Sequence, residues 1–243
     1  MIPFLLNTFK EREQFVKVFE HYFYKHINKL EYKLYIVIDG EINTDSNLVV
    51  YNDLLRTSND NHLCHSRYER HVKTLNSFKS DGYDYVINCL DDSWIQNIVW
   101  EKFEKSIDFL ILNNADRIDL CGPQYQYEVE IIDSDVSLIK PTNEISWYFS
   151  NQCALWKIDS LLKIYNQMGV VSDIDVEKIG SNIAFQYNYK FITFNNPAIY
   201  SWNVFNRYTG LNDDGKKLLK EYSENNDLIY LNELNNINKN IKC

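Results

Sequence analysis

The stretch YDYVINCLDDSWI, residues 83–95, decides the fold. From Tyr85 to Leu90 it is an apolar run broken only by Asn88 and without alternation, the pattern of a strand buried on both faces, and it stops at Asp91-Asp92. Immediately upstream, Asp81-Gly82 marks a turn, and Tyr68 to Phe78 reads as a helix. Two further strands precede that helix. Leu34 to Ile38 (LYIVI) is closed by Asp39-Gly40, and Ile2 to Leu6 opens the chain. Between them Thr8 offers an N-cap with Glu11 three residues on, and Phe15, Phe19, Phe23 and Ile27 recur at helical spacing. Three apolar strands separated by helices or long crossovers predict an α/β fold with a mostly parallel sheet covered on both faces.

The second half reads as a mixed lobe. Val99, Phe103 and Ile107 mark a helix, and Tyr127 to Ile132 with Val136 to Ile139 flank Asp133-Ser134-Asp135 as an antiparallel hairpin. Trp147 to Trp156 is aromatic and extended. Ile158 to Met168 is a helix ended by Gly169, Val176 to Tyr187 a second helix, and Phe191 to Phe194 a strand. No repeat or linker divides the chain, so residues 1–243 are expected to form one domain, with an Asn- and Lys-rich tail at 231–243.

Composition narrows the function classes. Hydrophobic content of 45% excludes a disordered chain. A net charge of −9 argues against nucleic acid as a partner, because phosphate neutralisation needs clustered Lys and Arg. No apolar run reaches the roughly 20 residues of a transmembrane helix, and the N-terminus lacks a basic leader with a cleavage site. The expected location is the cytoplasm, including the inner face of the membrane through a partner. Five dispersed cysteines without CxxC spacing read as reduced thiols.

In open α/β sheets ligands bind beyond the carboxyl ends of the strands. The sequence puts polar groups there three times: Asn7-Thr8, Asp39 and Asp91-Asp92. A single acid such as Asp39 is commonly a cap or turn former. Two adjacent acids repel unless they are solvated, capped or bridged by a cation. The cluster His62, Cys64, His65 and His71 lacks the separated pairs of zinc sites. Neither a Gly-x-Ser-x-Gly elbow nor a P-loop nor a dinucleotide fingerprint is present.

These residues resemble the GT-A-type glycosyltransferases, in particular members that build surface glycans in bacteria and large DNA viruses. The helix-strand-DD segment from His71 to Ile95 resembles one block of that family. WYFSNQCALWKIDSLL (147–162) and DIDVEKIGSNIA (173–184) resemble a second, and IPFLLNTF (2–9) resembles the opening strand. The resemblance implies a GT-A, Rossmann-like sheet flanked by helices, with a nucleotide-sugar half over about residues 1–95 and an acceptor lobe over 96–230. For a viral member the location is the host cytoplasm.

The implied activity is metal-dependent transfer of a sugar from a nucleotide-sugar donor, a UDP- or GDP-sugar, to a hydroxyl of an oligosaccharide or glycan acceptor, with inversion. Mn²⁺ or Mg²⁺ would be held by Asp92 and Asp91 against the donor diphosphate. Thr8 and Asp39 would line the nucleoside floor, and Arg67, read in the loop before the helix at Tyr68, would pair with a phosphate or remain a solvated charge. Glu177, with Asp175 as understudy, would take the acceptor proton; both also suit the first turn of a helix. Trp94, Trp147 and Gln152 are the acceptor-binding candidates, with Trp156 a further candidate sugar platform.

The chain departs from the family in carrying Asp91-Asp92-Ser93 where the usual motif is Asp-x-Asp. Literal Asp-x-Asp strings at Asp133/Asp135 and Asp173/Asp175 occur elsewhere, the first of them in a hairpin turn. The alternative reading is a non-catalytic glycan- or nucleotide-sugar-binding module on the same fold. A nucleotidyltransferase would need a Gly-rich basic loop where NTFKERE (7–13) stands.

Overall fold

A computed structural model describes residues 1–8, 12–27, 29, 31–38, 40, 42–50, 64–123, 128–141, 148–169, 175–203, 205–206 and 210–226. Elements run in the order β1 (Ile2–Asn7), α1 (Glu13–His26), β2 (Tyr32–Ile38), β3 (Asn47–Val50), α2 (Cys64–Ser80), β4 (Tyr85–Cys89) and β5 (Ser93–Ile98). There follow α3 (Trp100–Glu104), α4 (Ser106–Leu112), β6 (Arg117–Asp119), β7 (Val129–Ile131), β8 (Val136–Ile139) and β9 (Ala154–Lys157). The chain continues through α5 (Ile158–Met168), α6 (Val176–Gln186), β10 (Phe191–Phe194), β11 (Ile199–Asn203), β12 (Phe205–Asn206), β13 (Gly210–Leu211) and α7 (Asp213–Asn226).

Among the described residues nine strands form one sheet in the order β3-β2-β1-β4-β9-β6-β10-β8-β7. The first four are mutually parallel, as the apolar runs predict for β1, β2 and β4; β3 is a further strand that no run marked. β9 is antiparallel to both β4 and β6, β10 is parallel to β6, and β8 and β7 complete an antiparallel edge. β5 pairs with β11 in a separate two-stranded ribbon, and β12 pairs with β13.

Side-chain alternation explains why β1, β2 and β4 are mostly apolar. Phe4, Leu6, Leu34, Ile36 and Ile87 face the layer of α1, where Phe15, Phe19 and Phe23 pack with Trp94 and Phe103. Leu5, Val37 and Val86 face the opposite layer, formed by Leu75 and Phe78 of α2 with Leu161 and Tyr165 of α5. β1, β4 and the second half of β2 therefore bury both faces, while Lys33 near the start of β2 is exposed and β3 forms a half-buried edge.

Several boundaries differ from expectation for local reasons. Thr8 does not cap α1: the helix is preceded by Arg12, without a side-chain cap, and the Thr8 hydroxyl turns to Asp91 instead. The helix expected across Val99 to Ile107 breaks at Lys105 into α3 and α4. The 129–139 hairpin is present, and the Asp133 carboxylate accepts the amides of Asp135 and Val136 at 2.7 and 2.9 Å, which makes it a turn. α5 ends as expected at Gly169, whose φ of 63° suits a residue without Cβ. The tail expected at 231–243 lies outside the described residues. Among the described residues no helix is long and apolar enough to cross a membrane.

Candidate functional site

The sheet changes winding direction at β1. Strands β2 and β3 are added on one side of it and β4 on the other. Such a switch point opens a crevice beyond the carboxyl ends of the two flanking strands, where open α/β sheets bind ligands. Asn7 and Thr8 leave β1 at that crevice, and Asp91 and Asp92 leave β4 beside them.

The acids are held from several directions. Asp91 is 4% exposed. One of its carboxylate oxygens accepts the Thr8 hydroxyl, and the other lies 3.0 Å from the Arg12 guanidinium. The same guanidinium nitrogen lies 3.2 Å from Asp92. Thr8 is fixed in turn, since its amide donates to the Val37 carbonyl at 2.9 Å and its carbonyl accepts from Arg70 at 3.0 Å. The side-chain amide of Asn7 meets His71 Nδ1 at 3.2 Å, so α2 supports the floor of the crevice twice.

Trp94 takes a different place from the one expected. It is completely buried, packs against Phe15 and Tyr22, and donates its indole N–H to the Asp91 carbonyl at 3.0 Å. It holds the acidic turn from beneath and presents no face to an acceptor. Trp156 is likewise buried, between Phe149 and Phe191, which removes it as a sugar platform. Trp147 and Asp39 lie outside the described residues. α2 begins at Cys64, so Arg67 stands within the helix rather than in a loop before it.

The second block arrives at the same edge through sheet register. β9 runs antiparallel to β4 with Ala154 opposite Asn88, so the turn leading into β9 opens at the carboxyl end of β4. That turn carries Ser150, Asn151 and Gln152, with the Gln152 amide donating to the Ser150 hydroxyl at 3.2 Å. Glu177, half-buried in the first turn of α6, accepts the Asn151 amide at 3.0 Å. Asp175 is exposed and precedes α6, its carbonyl accepting the Ile179 amide at 2.8 Å. A path of contacts links the two blocks. His71 lies against Tyr165 with ring centroids 4.5 Å apart, and Tyr165 donates to Asn151 at 3.5 Å.

α6 comes this close because of Gly180. A Cβ there would stand 2.6 and 2.7 Å from ring atoms of Phe149, which immediately precedes the turn. Gly180→Ala is expected to lower stability by about 1–3 kcal/mol from overpacking. Helix propensity alone would raise it by about 1 kcal/mol. Urea unfolding reads the sign, and stabilisation would show that the α6–Phe149 contact yields freely.

The two carboxylates fit a Mg²⁺ or Mn²⁺ ion in type and number. Such ions take hard oxygen ligands and are commonly held by one or two carboxylates together with substrate phosphates. Among the described residues no group of three or more His, Cys, Asp or Glu could form an all-protein cage. Sequence reasoning missed Arg12 and Arg70. The signal for Arg12 was the acidic pair itself, which demands a counter-ion.

No family model and no curated protein matches the chain. Solved structures do. The chain is similar to S. aureus TarS residues 1–349 at a TM-score of 0.51 and 12% identity, over 82% of this chain and 59% of that one. The same TarS fragment in complex with UDP-GlcNAc matches at a TM-score of 0.51 and 13% identity, over 82% and 57%. In complex with UDP it matches at 0.51 and 14%, over 82% and 59%. The chain thus spans less than two thirds of the length of these structures. At this level of identity the likeness concerns architecture alone, and that architecture is the α/β GT-A fold of TarS.

Proposed function

We propose that this protein is a glycosyltransferase that moves a sugar from a UDP-sugar to a hydroxyl of a glycan acceptor with inversion. The observation that carries the reading is the meeting of Thr8, Asp91 and Asp92 at the switch point between β1 and β4. The fold likeness to a protein crystallised with UDP and with UDP-GlcNAc supports the choice of nucleotide. In this reading residues 1–95 form the donor half and 96–230 the acceptor half.

Asp92 and Asp91 would hold Mn²⁺ or Mg²⁺, which when bound supplies positive charge against the diphosphate leaving group. Thr8 orients the Asp91 carboxylate through its hydroxyl, and Trp94 fixes the backbone of the same residue. Glu177 takes the proton from the acceptor hydroxyl as that oxygen bonds to the sugar C1 and the bond from C1 to the diphosphate breaks. UDP departs, and the proton remains on Glu177. Gln152, on the turn that Glu177 anchors, would orient the acceptor.

Asp92→Ala tests the donor site. It is expected to lower Mn²⁺-dependent UDP affinity at least about 10-fold, since one of the two carboxylates that would hold the ion is lost. The unfolding temperature without ligand should stay close to that of the wild type, because Arg12 keeps Asp91 as its partner when Asp92 is removed. Calorimetric titration of UDP reads the result, and unchanged affinity would contradict the assignment.

A further inference from the structure

Two adjacent carboxylates at the end of a buried strand carry a repulsion that water, hydrogen-bond donors or a cation must relieve. In this chain Arg12 relieves it. A single guanidinium nitrogen stands 3.0 Å from Asp91 and 3.2 Å from Asp92, and so serves both acids at once. The guanidinium lies over the Phe15 ring at 4.9 Å, and the side chain is 23% exposed. Arg12 is therefore seated against the core with part of its side chain still open to solvent. It also sits on the connection from β1 to α1, beside the switch point where a diphosphate would lie.

We propose that Arg12 is a resident counter-ion that competes with free divalent metal for Asp91 and Asp92, and that it passes to the donor diphosphate when metal and nucleotide arrive together. This inference rests on the donor-site reading above. The argument is one of exchange. A metal ion arriving alone must displace the guanidinium and leave it without its carboxylate partners. A metal arriving with a diphosphate takes the carboxylates while the phosphate oxygens receive the guanidinium, whose planar fork matches them in two parallel hydrogen bonds. Every charge then keeps a partner. Metal and nucleotide must accordingly bind with positive coupling, and linkage makes the coupling equal in both directions.

The test compares wild type with Arg12→Gln and Arg12→Lys. Mn²⁺ binding without nucleotide is followed by the electron paramagnetic resonance of the free ion. UDP binding at saturating Mn²⁺ is followed by calorimetry. Arg12→Gln is expected to bind Mn²⁺ alone about 10-fold more tightly than wild type, and UDP with Mn²⁺ about 10-fold more weakly. Arg12→Lys keeps the charge and loses the fork, so Mn²⁺ alone should remain weak while UDP affinity falls. It also guards against a folding defect in the neutral variant.

Mn²⁺ affinity that is unchanged or weaker in Arg12→Gln overturns the counter-ion role. UDP affinity equal in all three proteins overturns the transfer to diphosphate. Wild-type protein that takes no UDP at any Mn²⁺ concentration overturns the donor reading and with it the diphosphate step, while the Mn²⁺ comparison still decides the counter-ion role.

Discussion

Glu177→Gln is expected to lower the rate of sugar transfer by about 10²- to 10⁴-fold, the usual contribution of a positioned general base. UDP affinity should remain within about 2-fold, because the residue stands in the acceptor block rather than among the groups around Asp91. The substitution is chosen for what it preserves. Glutamine has the shape of glutamate, and its carbonyl oxygen can still accept the Asn151 amide that Glu177 accepts at 3.0 Å. The turn bearing Gln152 therefore keeps its anchor, and only the basicity is lost. Glu177→Ala removes the anchor as well, so its larger effect should extend to acceptor KM. Initial rates over a range of acceptor concentrations separate the two, and a fully active Glu177→Gln protein would sink the base assignment.

Arg117→Met is expected to cost about 3–5 kcal/mol of stability, the range for removing one partner of a buried ion pair. Arg117 and Asp119 are both completely buried, 3.1 Å apart on β6. The guanidinium also lies over Trp156 and Phe191 and donates to the Tyr148 carbonyl at 3.4 Å. Methionine keeps much of the apolar contact, so the loss isolates the charge left on Asp119. Burial already pushes the Asp119 carboxyl above its ordinary value, while Arg117 and the Cys121 amide pull it back. Without Arg117 it must rise further.

The sign of the pH dependence follows. The folded variant binds the Asp119 proton more tightly than the unfolded chain, so the penalty is full above the raised folded value. It is relieved as pH falls through that value toward the ordinary unfolded one. Arg117→Met should thus lose least, relative to wild type, in acid. The double change Arg117→Met with Asp119→Leu should recover most of the loss. Urea unfolding at neutral and acidic pH measures all of this, and a penalty that grows in acid would contradict it.

The same ion pair explains much of what the sequence concealed. β1, β2 and β4 were legible because strands buried on both faces leave a continuous apolar run, as in Tyr85 to Leu90. β6 is three residues, Arg-Ile-Asp, and no periodicity marks a strand whose charged residues satisfy each other in the core. β5 was hidden because it begins at Ser93 and Trp94, directly behind the acids at which the preceding strand was read as ending. β9 was read only as part of a longer aromatic extension, since its strand character comes from its neighbours β4 and β6.

The candidate site was legible in its acids and its edge of the sheet, because strand ends and paired carboxylates are local features. Its cations were not. Arg12 reaches Asp91 and Asp92 across about 80 residues of chain, and Arg70 reaches Thr8 across 62. Trp94 was misread for a related reason. An indole beside two acids suits a sugar or a core equally well, and only packing against Phe15 and Tyr22 decides between them.

The crevice between β1 and β4 is proposed as a metal-assisted nucleotide-sugar site. It is tested most directly by thermal unfolding of the wild-type chain with UDP-, GDP-, dTDP- and CMP-sugars, each with Mn²⁺ and with EDTA. A ligand that binds only the folded state raises its apparent stability, by about 2.7 kcal/mol at a hundredfold excess over Kd. A rise with UDP-sugars that requires Mn²⁺ and vanishes in EDTA is the expected result. No rise with any of the four, or an equal rise in EDTA, would contradict it.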